Sequence, residues 1–371
     1  MALRAFIARH FGDAGYAERV GAGLSKAHRN SGRRDVDLAD LRAVVFSDHH
    51  RGHGDGADDF RRCEGAYCAA LGWYLQAGYE LWLLGDVEEL WENGPRKVME
   101  HYDNVLALEA EFGDRVRRFY GNHDMAWRSA GFVKKWLGKC APASGVQEAV
   151  RVVLSDGGTP LGTLFLVHGH QGTIDSGNLL VVPFSRFAVR VFWGTLQRLF
   201  GFASTSPSTN NDLRSKHDRA MAAWADAHPE RLVMVAGHTH HPVFAGSKPP
   251  NLAAEAAARQ AEYDEAVRTG GDVVGARAAL ELALARELRD DHHEPVKLDR
   301  PSYFNTGCCS FGDGDVTGIE FAEGQVKLVR WLDDGGGASP HQLEPPLDQP
   351  PLNLRAIFAN VTGEPPDPAR T

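Results

Sequence analysis

Five short polar clusters, each directly behind an apolar run, carry the chemistry of this chain: Asp48-His49-His50, Gly85-Asp86-Val87-Glu88-Glu89, Gly121-Asn122-His123-Asp124, His168-Gly169-His170 and Gly237-His238-Thr239-His240. Their donors are carboxylates, imidazoles and one amide, with no thiolate among them. That mixture suits manganese, iron, zinc or cobalt, with manganese favoured. Five such clusters point to a pocket for two divalent ions with an open face, a recurrent arrangement for displacement at phosphorus.

Charge decides part of the assignment. Two dications about 3.5 Å apart repel by about 20 kcal/mol even at an effective dielectric of 20, so negative charge must lie between them. Asp86, held centrally at a strand end, is the candidate bridge, and Asp48 adds a second negative charge on one side. His50, Asn122, His168, His238 and His240 are neutral donors. His50 is chosen over His49 and His53 by its Asp-x-His spacing, and His49, His53 and His241 are read as supporting or solvent-facing. Metal binding lowers the pKa of water toward ~7. His123, next to Asn122, is placed at the mouth to donate a hydrogen bond or proton to the ester oxygen, with Asp124 fixing its ring. Glu89 is expected to support the site, and His170 to touch substrate or to lie on the surface.

The elements that must position these groups follow the same grammar. Residues 42–47, 80–84, 115–120, 161–167 and 231–236 read as short buried strands, each running into a cluster. Open α/β sheets bind their ligands outside the carboxyl ends of their strands. Helical stretches at about 61–77 and 96–112 lie between the first three strands, which gives an α/β core. A hairpin over 316–321 and 325–331 turns at Ala322-Glu323-Gly324, and Asn305-Thr306-Gly307 reads as a turn under the site. The segmentation is an N-terminal arm (1–40), a core domain (41–334) and a Gly/Pro-rich, irregular tail (335–371). Two helical insertions interrupt the core: an aromatic-rich cap (171–229) and an Ala-rich hairpin (251–291).

Composition narrows the function classes. The 371 residues are 43% hydrophobic, enough for one large domain with insertions. A net charge of -9 argues against nucleic acid as a partner. Five cysteines without a Cys-x-x-Cys pair fit a reducing compartment, and the chain is read as cytoplasmic. No run approaches the ~18 apolar residues of a membrane-spanning helix.

The ordered set Asp-x-His, Gly-Asp-x-x-(Asp/Glu), Gly-Asn-His-(Asp/Glu), His and Gly-His-x-His resembles the calcineurin-like metallophosphoesterase superfamily over residues 43–331. The resemblance implies two β-sheets packed as a sandwich and flanked by helices. It implies one metal held by Asp48, His50, Asp86 and His240, and a second held by Asp86, Asn122, His168 and His238. The segments Gly85-Asp86-Val87-Glu88-Glu89-Leu90 and Gly121-Asn122-His123-Asp124 differ from those usual in protein Ser/Thr phosphatases. The insertion between the fourth and fifth clusters looks more like the branch that cleaves UDP-diacylglucosamine, although His168-Gly169-His170 stands where that branch commonly has His-Gly-Asp.

Phosphodiester, pyrophosphate or phosphomonoester hydrolysis is the function so implied, on a small-molecule phosphate ester or a lipid-linked pyrophosphate. Arg186 and Arg190, one helical turn apart, are candidate substrate-binding residues. The aromatic run 181–202 around them would serve as an acyl groove, a peripheral membrane anchor, a homo-oligomer interface or plain packing. A non-catalytic scaffold of the same fold is the competing reading, and seven retained donors argue against it. A nuclease would need a basic track to the metals, which the sequence does not offer.

Overall fold

The computed structural model describes residues 13–173, 211–244, 252–289, 298, 300–332, 341–342, 350–361 and 363–366. Among these residues two sheets face each other. Strands β2 (Ala43–Phe46), β3 (Glu80–Leu84), β4 (Val116–Phe119) and β5 (Val146–Gln147) run parallel, and β11 (Val316–Ala322), β12 (Gln325–Leu332), β13 (His341–Gln342) and β14 (Leu352–Asn353) extend them antiparallel. The second sheet has the order β1 (Gly32–Asp37), β6 (Ala149–Asp156), β7 (Thr159–Val167), β8 (Leu232–Ala236), β10 (Tyr303–Thr306), β9 (Pro242–Val243). This is a mixed α/β sandwich flanked by helices, the class the sequence implied.

Of the strands carrying the clusters, β2 and β8 are apolar throughout, and β3 after Glu80, because both of their faces are covered. Val45, Trp82, Leu84 and Phe119 point between the sheets and meet Leu164, Leu166, Val233 and Val235. Val44, Phe46, Leu81 and Leu83 point outward under the helix Glu64–Gln76, against Tyr67, Ala70, Leu71 and Tyr74. On the opposite outer face, the helices Asp13–Asn30 and Asn211–Asp226 cover Phe165, Val167, Leu232 and Met234. Burial of one such aliphatic side chain contributes roughly 1.5–3 kcal/mol, so register is fixed from both sides.

Several segments depart from the sequence reading. The second half of the expected N-terminal arm lies within the sandwich, since Gly32–Asp37 pairs in parallel with β6 as the sheet edge. Its polar residues suit an edge, which is why no apolar run marked it. The expected irregular tail contains the helix Leu354–Asn360, capped by Asn353 and burying Leu354, Ile357 and Phe358 in the core between the sheets. Phe358 sits over Gly162, where an added Cβ would come within 2.2 Å of its ring. Asn305 and Thr306 belong to β10, and the turn begins only at Gly307, whose φ is +76°. In the 316–331 hairpin, Glu323 and Gly324 both have positive φ (53° and 71°), as a two-residue primed turn requires.

Leu252–Thr269 and Val273–Arg289 are two helices packed on each other across Gly270-Gly271. In the 171–229 insertion, Asn211–Asp226 is the helix over the second sheet. Arg186, Arg190 and the aromatic run 181–202 lie outside the described residues. Among the described residues no helix is long and apolar enough to cross a membrane.

Candidate metal centre

Each cluster sits where a strand ends, and all five ends open at the same side of the sandwich. The first two loops run alongside each other: Asp48 N–H donates to Gly85 O (3.1 Å), His50 N–H to Asp86 O (3.0 Å) and Arg51 N–H to Val87 O (3.0 Å). The loop after β8 is tied to the fourth cluster through Gly237 N–H to His168 O (2.9 Å). The backbone is strained here. Of the six non-glycine residues with positive φ among those described, five are Asp48, His50, Asp86, His238 and His240. Each such conformation costs of order 1–3 kcal/mol, and strain of this kind concentrates at functional sites.

Glycine precedes three of the donors because there is no room for a side chain. A Cβ on Gly85 would lie 2.6 Å from the His168 ring, one on Gly121 2.1 Å from Asp86 Oδ1, and one on Gly237 2.4 Å from Asp48 Oδ2. Gly121→Ala is therefore expected to displace the Asp86 carboxylate. It should cost about 1–3 kcal/mol of stability, seen as a lower denaturation midpoint, and should abolish stoichiometric metal uptake in dialysis.

The side chains converge. Asp48, His50 and His240 present three donor atoms within 4.8 Å of one another, as do Asp86, His168 and His238. His50, Asp86 and His123 form a third such group that joins the other two. His240 Nε2 lies 3.3 Å from Asp48 Oδ1, and His168 Nε2 lies 3.0 Å from Asp86 Oδ2. Asp48 and Asp86 are 0% and 1% exposed. Asp48 Oδ1, Asn122 Oδ1, His168 Nε2 and His238 Nε2 are buried with no hydrogen-bond partner. Buried orphans of this kind cost about 1–3 kcal/mol each, and four of them on residues of one pocket are what ligands look like before a cation satisfies them. Their partners on the far side fix orientation: His168 Nδ1–H donates to Leu84 O (2.8 Å), and Asp48 Oδ2 accepts from His238 N–H (2.9 Å) and Ser47 Oγ. The donor set fits two divalent cations.

The electrostatics agree. Burial would raise the Asp48 and Asp86 carboxyls, but the His168 imidazole and its neighbours hold both below the ordinary carboxylate range. Burial lowers His168, yet Asp86 and Asp48 more than offset it and push its pKa up to about 9. In the metal-free protein that proton contributes stability fully present below pH 6.5, the ordinary value, and lost as pH rises through about 9. Metal must displace the same proton. We expect metal-free protein to lose thermal stability between pH 6.5 and 9, while metal affinity rises over that interval by about tenfold per pH unit for the displaced proton. Flat profiles in melting and metal-titration experiments would contradict this.

The expected partner of His123 is corrected. Asp124 turns away from the imidazole: its oxygens accept from the backbone N–H groups of Gly121 (2.6 Å) and Val87 (2.9 Å), tying two cluster loops together. Glu89 Oε2 holds His123 Nδ1 instead, and also lies 3.2 Å from His50 Nδ1. Burial lowers His123, but Glu89 and Asp86 push it up to about 10, so its ring is cationic at neutral pH in the absence of metal. Trp91 stacks on that ring at 4.4 Å and 19°, and donates to Asn122 O (2.6 Å).

For His49 and His170 the solvent-facing alternative falls away, since both are buried. His49 packs edge-on to Tyr67, and burial, with the His168 charge beside it, drops His170 to about 3. His53 bonds Asn93 Oδ1 (2.7 Å), away from the donor groups.

Sequence reasoning missed the layer behind the site. Glu88 makes a bidentate ion pair with Arg118 and accepts from Trp127 Nε1 (2.8 Å), while Glu109 pairs with Arg51 and accepts from Tyr67 (3.0 Å). From the helix Asn211–Asp226, His217 Nε2–H donates to Gly169 O (2.7 Å), and Asp218 accepts from Thr239 Oγ1 (3.0 Å) and Tyr303 (2.7 Å). Arg214, one turn earlier on that helix, is close enough to Asp48 and His240 to bias both charges. The i, i+3, i+4 spacing of Arg214, His217 and Asp218 was the available signal.

Comparison with family models gives no match, and comparison with curated proteins gives none. Among solved structures, the chain is similar to Yfce, a phosphoesterase from E. coli, at 15% identity and a TM-score of 0.33, over 82% of this chain and 100% of that one. It is also similar to a dimetal phosphatase from Danio rerio at 9% identity and a TM-score of 0.38, over 82% of this chain and 99% of that one. Likenesses this distant carry no argument, and the site's chemistry has to be judged on its own geometry.

Proposed function

We propose that this chain is a binuclear metal-dependent phosphoesterase, with Asp48, His50, Asp86 and His240 holding one ion and Asp86, Asn122, His168 and His238 the other. The observation that carries this reading is the convergence of buried donor groups from five loops on one pocket, with orphaned donor atoms on four of them. When bound, the two ions supply an activated water and Lewis-acid stabilisation of phosphoryl oxygens. The chain's own groups do the rest. Asp86 lies between the two donor groups and accepts from His123 N–H (2.8 Å). His123, held by Glu89 and Trp91, delivers a proton to the leaving oxygen. Arg214 offers the phosphate a cation from the helical side of the pocket.

Manganese is the proposed ion, and a diester or pyrophosphate the proposed substrate. A lipid-linked pyrophosphate is supported by the aromatic run 181–202 of the sequence alone. The five cysteines are unpaired, which fits the proposed cytoplasmic location. The test is metal analysis of purified protein together with turnover of chromogenic phosphomonoesters and phosphodiesters. At least two metals per chain and manganese-dependent hydrolysis are expected, whereas fewer than one metal and no turnover would favour the scaffold. Arg214→Ala is expected to keep both metals and to lower kcat/KM by about ten- to a hundredfold, the loss of one charge-assisted contact.

A further inference from the structure

A second cluster of metal-ready side chains lies away from this pocket. His28 stands in the last turn of the helix Asp13–Asn30, while His228 and Glu230 lie in the connection from the helix Asn211–Asp226 to β8. One donor atom from each of the three lies within 4.8 Å of the others. The two imidazoles are 4.6 Å apart between centroids, and His28 Nε2 is 3.6 Å from Glu230 Oε2. That distance is too long for a hydrogen bond. It is close to the ~3.3 Å edge of a tetrahedron with bonds of about 2.0–2.1 Å.

The second observation is His28 itself. Its ring is 6% exposed, enclosed by Phe165, Trp224 and His228, and its Nε2 is buried without a hydrogen-bond partner. Glu230 is 39% exposed at its side chain, so water reaches the outer side.

We infer that His28, His228 and Glu230 form a third divalent-metal site, for zinc, with three protein ligands and a water. Two imidazoles and a carboxylate with an open position form a recurrent zinc set. Burial, with His228, Arg151 and Arg29 nearby, drops His28 to about 3, and burial lowers His228, so both rings are neutral and free of competing protons at pH 7. Ligation by His228 gives up one long bond, 3.3 Å from Glu230 N–H to its Nδ1. The ion would tie the end of one covering helix to the exit of the other, the helix whose His217 and Asp218 brace the cluster loops.

The test is equilibrium dialysis of the full chain against zinc, with His228→Ala and Glu230→Gln as partly exposed changes and circular dichroism to verify folding. Each variant is expected to bind one zinc fewer per chain than the parent, whatever the main pocket holds. Asp86→Ala is expected to retain at least one zinc, and His228→Ala added to it to remove one. Cobalt in place of zinc should give a four-coordinate visible spectrum that is lost with His228. Unchanged stoichiometry in the folded single variants, or an Asp86→Ala chain that takes up no zinc, overturns the inference.

Discussion

Replacing Asp86 by alanine is expected to reduce the main-pocket metal content from two ions to one or none and to lower phosphodiester turnover at least about a thousandfold. The magnitude follows from the several kcal/mol of charge stabilisation that paired metals supply, at 1.36 kcal/mol per tenfold. Asp86 is the residue on which this loss should be greatest. Its Oδ2 faces His168 and its Oδ1 accepts from His123 N–H, so it is fixed from both sides while lying between the donor groups. Asp86→Asn keeps the shape and removes the charge. It should fold like the parent and still fail to hold the second ion, because two dications then face each other with one carboxylate fewer. Full occupancy by metal analysis in either variant would remove Asp86 from the bridging role.

His123→Ala should behave differently, with both metals retained and turnover down about 10²–10⁴-fold, the range for a lost acid or base. Since Glu89 holds the ring and raises its pKa, Glu89→Gln should reproduce part of that loss and move the alkaline fall of the pH–rate profile to lower pH. The double variant should be no worse than His123→Ala alone, because two residues acting as one unit are not additive. Additive losses would mean that Glu89 acts on the metal ligands through His50 (3.2 Å) rather than through His123.

How legible was this molecule in its sequence? Strands covered on both faces announce themselves: AVVF, LWLL and LVMVA are unbroken apolar runs, and each was found with its cluster attached. The edge strand GRRDVD was not, because an edge shows polar side chains to water and has no hydrophobic signature. The helix Leu354–Asn360 was hidden by the Gly/Pro-rich residues around it, although Leu354, Ile357 and Phe358 carry a helical period behind an Asn cap. Within the site, donor types and spacings were readable because the metals' chemistry dictates them. Which carboxylate orients His123 was not, since Asp124 and Glu89 are equally plausible by spacing and only the direction of each loop decides. The burial of His49 and His170 likewise depends on aromatic and imidazole neighbours from distant segments.

The helix that seals the space between the sheets has a kinetic consequence. Leu354, Ile357 and Phe358 fill a core whose other walls are supplied from residue 38 onward. On a ribosome, the part of that core covered by Leu354, Ile357 and Phe358 would stay open until residue 358 had been made. Sealing of that part of the core must therefore follow translation of the segment, and during this interval the nascent chain would present a sticky surface to chaperones.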